Sequence, residues 1–241
     1  MGLNFFQMIK KILLLIFILF STIISFSQNQ AKIEYRYINF IEEYTSDNNK
    51  IKEKTPGYEL FKMTEKFPFI LIFDGSKSVF KIEEKMIVDD ESITYKPLIT
   101  LLPQTYIDFK NEISYDYSRI NGQHFLIKEK LTKKWKIVDE KKLIKGYTCR
   151  KAIEFDEDGN IKTEAWFAPE IPLSIGPSYS SGLPGLVIST KEFNKSGEAY
   201  ASFEFVNIDF SKQKKVIIPD YEPMTLKEFT DFMRGSRKKF N

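Results

Sequence analysis

Residues 147–168 read YTCRKAIEFDEDGNIKTEAWFA. Two runs of alternating apolar and polar residues flank a turn-forming segment, which is the pattern of a β-hairpin. The first run places four apolar side chains on one face: Tyr147, Cys149, Ile153 and Phe155. Only Lys151 interrupts this apolar face. The segment predicts antiparallel β-structure with a buried, inert Cys149 thiol. The alternative is a reactive or intermolecular thiol, because the chain has no second cysteine.

The register of this hairpin depends on the length of its loop. A two-residue loop would pair Phe155 with Lys162, which mixes a core position with a solvent position. A three-residue loop over residues 157–159, ending on a left-handed glycine, pairs Phe155 with Ile161 and Glu154 with Lys162. We predict the three-residue loop. Its acidic residues lack the spacing of a calcium-binding loop, so they predict a plain turn.

Similar runs elsewhere are rich in Ile, Phe, Tyr and Val and are separated by Asn, Asp, Gly and Ser. The clearest early hairpin covers residues 67–84, with its turn at residues 74–77. Further strands are predicted at five places: Gln104–Lys110, Gln123–Lys130, Trp135–Val138, Leu186–Phe193 and Ala199–Phe210. The last strand changes its buried face near Phe205 and Val206, which indicates a bulge. Residues 85–103 show no clear pattern.

The end of the chain predicts one short helix. Thr225 and Glu228 have the spacing of a capping box, and four apolar residues follow at helical spacing: Leu226, Phe229, Phe232 and Met233. The basic residues after them either form a solvated tail or make peripheral contact with anionic lipid head groups. We therefore predict a mainly β fold, an antiparallel curved sheet or open half-barrel over residues 28–218. A C-terminal helix and basic tail follow over residues 219–241.

The amino terminus has the layout of a signal peptide. Two lysines precede the apolar run Ile12–Phe20, which is too short to span a bilayer, and Ser25-Phe26-Ser27 supplies small residues near a cleavage position. We expect residues 1–27 to be removed and the mature protein to be periplasmic or secreted. An uncleaved anchor is the alternative.

Composition excludes several classes of function. One histidine, His124, and one cysteine cannot form a histidine cluster, a four-cysteine zinc site or an internal disulfide, and we expect no cofactor or metal. The 36 basic and 33 acidic residues give a net charge of +3. This balance and the expected export do not favour nucleic acid. Residues 176–180 lack the second glycine of a serine-hydrolase elbow.

The most distinctive segment lies between residues 166 and 190, where prolines and glycines restrict the backbone. Pro184 and Gly185 predict the centre of a type II turn, with positive φ at the glycine. The segment is either a stiff crossover packed on the sheet or the rim of a ligand or partner site. The candidate rim residues are Trp166, Pro172, Gly176, Pro177, Gly182, Leu183, Pro184, Gly185 and Leu186.

The run Gly182–Val187, GLPGLV, resembles the motif of the GLPGLI family of exported bacterial proteins, with valine in place of the last isoleucine. Other matching segments are Trp135–Ile137, Ile144–Ala152, the Trp166 segment and Gly176-Pro177. The resemblance implies an exported envelope or secreted protein of Gram-negative bacteria without an established activity. It supplies no catalytic residues. By looser analogy, it implies the open half-barrels that carry lipoproteins or lipids.

Three functions stay open. The first is a noncatalytic envelope protein that binds an apolar ligand or a protein partner, because aromatic residues make up 15% of the chain and catalytic residue types are scarce. This function predicts an apolar cleft. The second is a carboxylate-based hydrolase, which predicts two acids converging in a polar cleft. The third is a structural accessory subunit with an exposed apolar patch.

Overall fold

The structure is a computed structural model, and it describes residues 10, 30–40, 64–83, 102, 104–132, 135–211 and 215–237. Three predictions fall wholly or mostly outside these residues: the signal peptide, the patternless segment at 85–103 and the basic tail after Arg237.

The described residues form one 12-stranded sheet, followed by helix α1 at Leu226–Arg237. The strands are β1 Ala31–Asn39, β2 Phe69–Phe73, β3 Lys77–Ile82, β4 Gln104–Asp108, β5 Ile113–Ile120, β6 Gln123–Lys130, β7 Trp135–Ile144, β8 Tyr147–Phe155, β9 Ile161–Ala168, β10 Leu186–Phe193, β11 Ala199–Asp209 and β12 Pro223–Met224. Their order is β12-β6-β5-β4-β3-β2-β1-β11-β10-β9-β8-β7, and every pair except β12 with β6 is antiparallel. The sheet is open, with β7 and β12 at its edges, which confirms the predicted fold class.

One strand prediction needs correction, and two strands were not predicted. β7 continues to Ile144, well beyond the predicted end at Val138. The prediction ended too early because the register of β7 shifts between Ile137 and Lys141 and most of its side chains are exposed. A bulged, exposed edge strand has no regular apolar alternation that would mark its length. The central strand β1, which pairs with both β2 and β11, was not predicted, and neither was β5.

The hairpin of β8 and β9 has the predicted loop but not the whole predicted register. Phe155 pairs with Ile161, as expected from a three-residue loop, and the loop glycine has φ of 85°. Glu154 instead pairs with Thr163, because the register shifts by one residue at this point. The Thr163 hydroxyl donates a hydrogen bond of 3.1 Å to Glu154, and Lys162 Nζ lies 3.6 Å from the same carboxylate. Phe155 is exposed at this end of the hairpin.

The bulge predicted in β11 is present. Tyr35 of β1 pairs with Phe205, and the preceding Glu34 pairs with Asn207, so Val206 is the extra residue. Phe205 is buried while Val206 is exposed, as the change of buried face requires.

The main core is aromatic and surrounds Tyr35. This side chain is fully buried, and its hydroxyl donates a 2.7 Å hydrogen bond to the Val187 carbonyl. Phe80 and Phe203 pack edge to face with centroids 5.1 Å apart. Cys149 belongs to the same core and is buried as predicted, and burial raises the pKa of its thiol to about 11.

Helix α1 begins at the predicted capping box. The Thr225 amide donates to the Glu228 carboxylate at 2.7 Å, and the Glu228 amide donates to the Thr225 hydroxyl at 3.2 Å. The rings of Phe229 and Phe232 contact Phe125 of β6. None of the described helical segments has the length and apolar character of a membrane span.

Candidate functional site

The curvature of the sheet leaves a cleft of about 470 Å³ between β5–β6 on one side and β8–β11 on the other. Four carboxylates line this acidic cleft: Asp116, Glu129, Glu154 and Glu192. Strand pairing brings Glu154 and Glu192 together, because both pair with Thr163 on the strand between them. Their backbones are therefore about 10 Å apart, two strand spacings, with side chains on the same face.

A tyrosine from the crossover at residues 169–185 reaches across the acidic cleft. The Tyr179 hydroxyl donates a hydrogen bond to the Asp116 carboxylate, which also accepts a 3.0 Å bond from the Thr105 hydroxyl. Burial raises the pKa of Asp116, and these two hydrogen bonds only partly oppose the shift. The residue before the tyrosine, Ser178, has a left-handed φ of 52°. The crossover is thus joined to the opposite wall of the sheet.

A second tyrosine in the acidic cleft holds Glu192. The Tyr200 hydroxyl donates to this carboxylate at 2.8 Å, and burial followed by the nearby negative charge raises the pKa of Tyr200. Although the cleft contains several carboxylates, the described residues include no group of three or more metal-ligating side chains suited to a metal ion.

An aromatic pocket of about 160 Å³ adjoins the acidic cleft and shares Ser178 and Glu192 with it. Its apolar walls are Tyr37, Phe69, Phe80, Leu102 and Phe203. The acidic cleft is therefore not the apolar cleft that the first function predicts. Most strand positions facing the larger space carry carboxylates and hydroxyls, and its apolar lining is limited to Ile127, Leu131 and Leu226.

The opposite face of the sheet carries a groove of about 600 Å³, which we call the tryptophan groove. It lies over β1, β7, β9, β10 and β11. Trp166 contributes the indole ring, and six other apolar residues line the groove: Ile38, Phe40, Leu143, Ile144 and the buried Ile188 and Phe205. Trp166 is half-buried, and it lies three residues beyond Thr163 on β9, which puts the two side chains on opposite faces.

Charged side chains in the tryptophan groove fall into two groups. The two acidic residues have cationic partners, since Glu164 lies 3.4 Å from Lys151 Nζ and Glu204 pairs with Arg36. The three lysines of the groove, Lys142, Lys145 and Lys191, are exposed and form no ion pair with any described residue. Two of them lie over aromatic rings: Lys142 Nζ is 6.0 Å from the Trp166 centroid, and Lys191 Nζ is 5.2 Å from that of Phe40.

Among the candidate rim residues, only Trp166 lines one of these cavities. Gly176, Pro177, Leu183, Gly185 and Leu186 are buried, and Pro172, Gly182 and Pro184 are exposed. The crossover is therefore mainly a packed connection. The acidic residues of the cleft and the lysines of the groove were not among the predicted site residues.

The turn at Pro184 and Gly185 is not the predicted type II turn. The Gly185 amide donates to the Leu183 carbonyl at 2.8 Å, which closes a three-residue turn, and the Leu186 amide bonds to Ile171 at 3.0 Å. The requirement for glycine is confirmed, because φ is 149° and a Cβ would lie 2.3 Å from the Ala168 carbonyl oxygen.

Residues 154–189 match a family model described as "Protein of unknown function (Porph_ging)". The match contains the GLPGLV run, but it covers too little of the chain to assign the family. No curated protein sequence matches.

Two solved structures of PNGF-II, in space groups C2 and P21, resemble the fold with TM-scores of 0.54 and 0.55 at 17% sequence identity. The match covers 86% of this chain but only 33% and 34% of those chains. The chain therefore spans about a third of the PNGF-II length, and at this identity the likeness concerns the fold alone.

Proposed function

We propose that the chain is an exported, noncatalytic cell-envelope protein of the GLPGLI family that binds an apolar ligand, or the apolar part of a protein partner, in the tryptophan groove. The observation that carries the proposal is the half-buried Trp166 ring in a concavity of about 600 Å³ whose lining includes six other apolar residues. This volume lies within the range of small-ligand sites. The signal-peptide pattern supports export of the chain, and the GLPGLV run inside the match at residues 154–189 supports the resemblance to the GLPGLI family.

The groove is built on strands, so its shape is fixed before a ligand arrives. Lys151, Trp166 and Ser189 are direct cross-strand neighbours on β8, β9 and β10. Lys151 of β8 and Lys142 of β7 each place an ammonium group 6.0 Å from the indole centroid, both from the same side of β9. Preorganised side chains lose little conformational entropy on binding, which favours affinity from a small contact area.

A binding role fits the charges of the groove better than catalysis. Its two carboxylates, Glu164 and Glu204, are each held by a cationic side chain outside the groove lining. A general acid and base must instead be placed to exchange protons with a substrate.

The test uses the two tryptophans of the chain, Trp166 in the groove and Trp135 outside it. The neutral probe N-phenyl-1-naphthylamine is titrated into the Trp135→Phe and Trp166→Phe variants, and energy transfer from the remaining indole is measured. We expect efficient transfer and saturable binding in Trp135→Phe, and weaker binding in Trp166→Phe because the groove loses its largest apolar surface. Equal binding in both variants, or none in either, would contradict the proposal.

A carboxylate-based hydrolase is the second candidate, supported by the four acids of the acidic cleft and the raised pKa of Asp116. Its test is hydrolysis of a panel of nitrophenyl glycosides by the wild type and by Asp116→Asn and Glu154→Gln. Turnover lost in both variants would favour it over the binding function. Absence of turnover in the wild type would oppose it. The accessory-subunit function stays a prediction.

A further inference from the structure

The three lysines of the tryptophan groove have no ion-pair partner among the residues that the structure describes. Its lysines outnumber its carboxylates by three to two, and both carboxylates are already paired with Lys151 and Arg36. The unpaired excess belongs to Lys142, Lys145 and Lys191. Unpaired charges concentrated in a concave surface attract ions of the opposite sign.

Two of these lysines lie at the same end of the groove. Lys142 is near the end of β7, and Lys145 lies in the tight turn from β7 to β8. The turn is conformationally fixed, with left-handed φ values of 52° at Lys145 and 86° at Gly146. Between them, Ile144 also lines the groove, and Lys142 Nζ lies 6.0 Å from the Trp166 centroid. An apolar surface and a pair of unpaired ammonium groups are therefore adjacent.

We propose that the ligand of the tryptophan groove is a single amphipathic anion, with a hydrocarbon tail against Trp166 and Ile144 and a carboxylate or phosphate head against Lys142 and Lys145. This inference rests on the proposed function and names the chemical class of its ligand. Apolar burial supplies most of the affinity, and the ammonium groups select the charge of the head. A cationic head is rejected by the same groups.

The experiment compares four amphiphiles with the same twelve-carbon tail, each below its micelle concentration. Dodecanoate and dodecyl phosphate carry anionic heads, dodecyl maltoside is neutral, and dodecyltrimethylammonium is cationic. Binding is followed by Trp166 fluorescence in the Trp135→Phe background. We expect both anions to bind about tenfold more tightly than the neutral compound, and the cation to bind more weakly than either.

The lysines are tested with the double variant Lys142→Gln/Lys145→Gln. Its affinity for dodecanoate should fall about tenfold while its affinity for dodecyl maltoside stays the same. The matched control, Lys110→Gln/Lys128→Gln, changes two exposed lysines outside the groove and should bind like the parent. Added salt should weaken dodecanoate binding and leave dodecyl maltoside binding almost unchanged.

The outcomes separate this inference from the proposed function. Equal affinity for anionic and neutral amphiphiles, unaffected by the lysine variant, would overturn the anionic ligand while leaving an apolar groove in place. No response of Trp166 to any amphiphile would overturn both. Binding to phosphatidylglycerol vesicles without binding to monomeric dodecanoate would also overturn a single-molecule ligand, since it would indicate a membrane surface instead.

Discussion

Substitution of Gly185 by alanine is expected to destabilise the protein strongly, because the turn brings this glycine against the backbone of another strand. An added Cβ would lie 2.3 Å from the Ala168 carbonyl oxygen and 2.8 Å from Pro169 Cα. These atoms are backbone, so they cannot rotate away as a flexible side chain would. The φ of 149° adds strain for any residue with a Cβ.

The expected loss of folding stability has two contributions, the steric clash and the unfavourable φ. Overpacking costs about 1–3 kcal/mol, and the unfavourable φ adds about 1–2 kcal/mol. A total of about 2–5 kcal/mol would lower Tm by roughly 4–20 °C in a domain of this size.

The measurement is urea unfolding followed by tryptophan fluorescence, with Gly182→Ala as the matched control. Gly182 lies in the same crossover and also has positive φ, 85°, but no atom lies within 4 Å of its added Cβ. The control should therefore lose only about 1–2 kcal/mol. Equal losses in the two variants would refute the steric argument, and no loss in either would refute the turn geometry as well.

Four further outcomes follow from the contacts. Tyr179→Phe should cost about 1–3 kcal/mol in urea unfolding, because it removes a hydrogen bond to a buried carboxylate; unchanged stability would exclude this bond from the folded state. Burial raises the pKa of Asp116, so the stability it contributes is present below its unfolded pKa and is lost as pH rises through its folded pKa. Asp116→Asn should flatten this part of the stability–pH profile, and an identical profile would contradict the shift. Cys149, with its pKa raised to about 11, should resist iodoacetamide at neutral pH until the protein is unfolded; rapid native alkylation would show an accessible thiol. Thr225→Ala should cost about 1 kcal/mol through loss of the helix cap, measured by circular dichroism, and an unaltered helix signal would show that the cap contributes little.

Local periodicity was sufficient to predict the fold class and many strands, because alternation and turn residues act over a few positions. β1 shows the same alternation, with Ala31, Ile33 and Tyr35 buried, and the rule applied elsewhere could have identified it. β5 gives a weaker signal, since nearly all its side chains are half-buried and neither face is clearly apolar. The shift that pairs Glu154 with Thr163 depends on one extra residue, which alternation alone does not locate.

The cavities were harder to predict because they join residues that are distant in sequence. Tyr179 and Asp116 meet across 63 positions, and nothing next to either residue indicates the other. Trp166 was selected from its local segment and does line a groove, but the six other apolar residues of the groove come mostly from other strands. Lys142 and Lys145 look like ordinary solvent-facing residues in the sequence, but both line the groove and Lys142 Nζ lies 6.0 Å from the indole centroid.

Both cavities depend on how β10 divides its side chains between the two faces of the sheet. Lys191 and Glu192 are adjacent in sequence, and they line the tryptophan groove and the acidic cleft respectively. Ile188 is an extra residue in this strand, because its neighbours Val187 and Ser189 pair with adjacent residues of β9, Phe167 and Trp166. If β10 paired regularly through Ile188, every later residue of the strand would shift by one position relative to β9. Lys191 and Glu192 would then exchange faces of the sheet. A register change in β10 would therefore exchange one lysine and one glutamate between the tryptophan groove and the acidic cleft. The charge contributed by β7 and its turn to the groove, and by β5, β6 and β8 to the cleft, would stay in place.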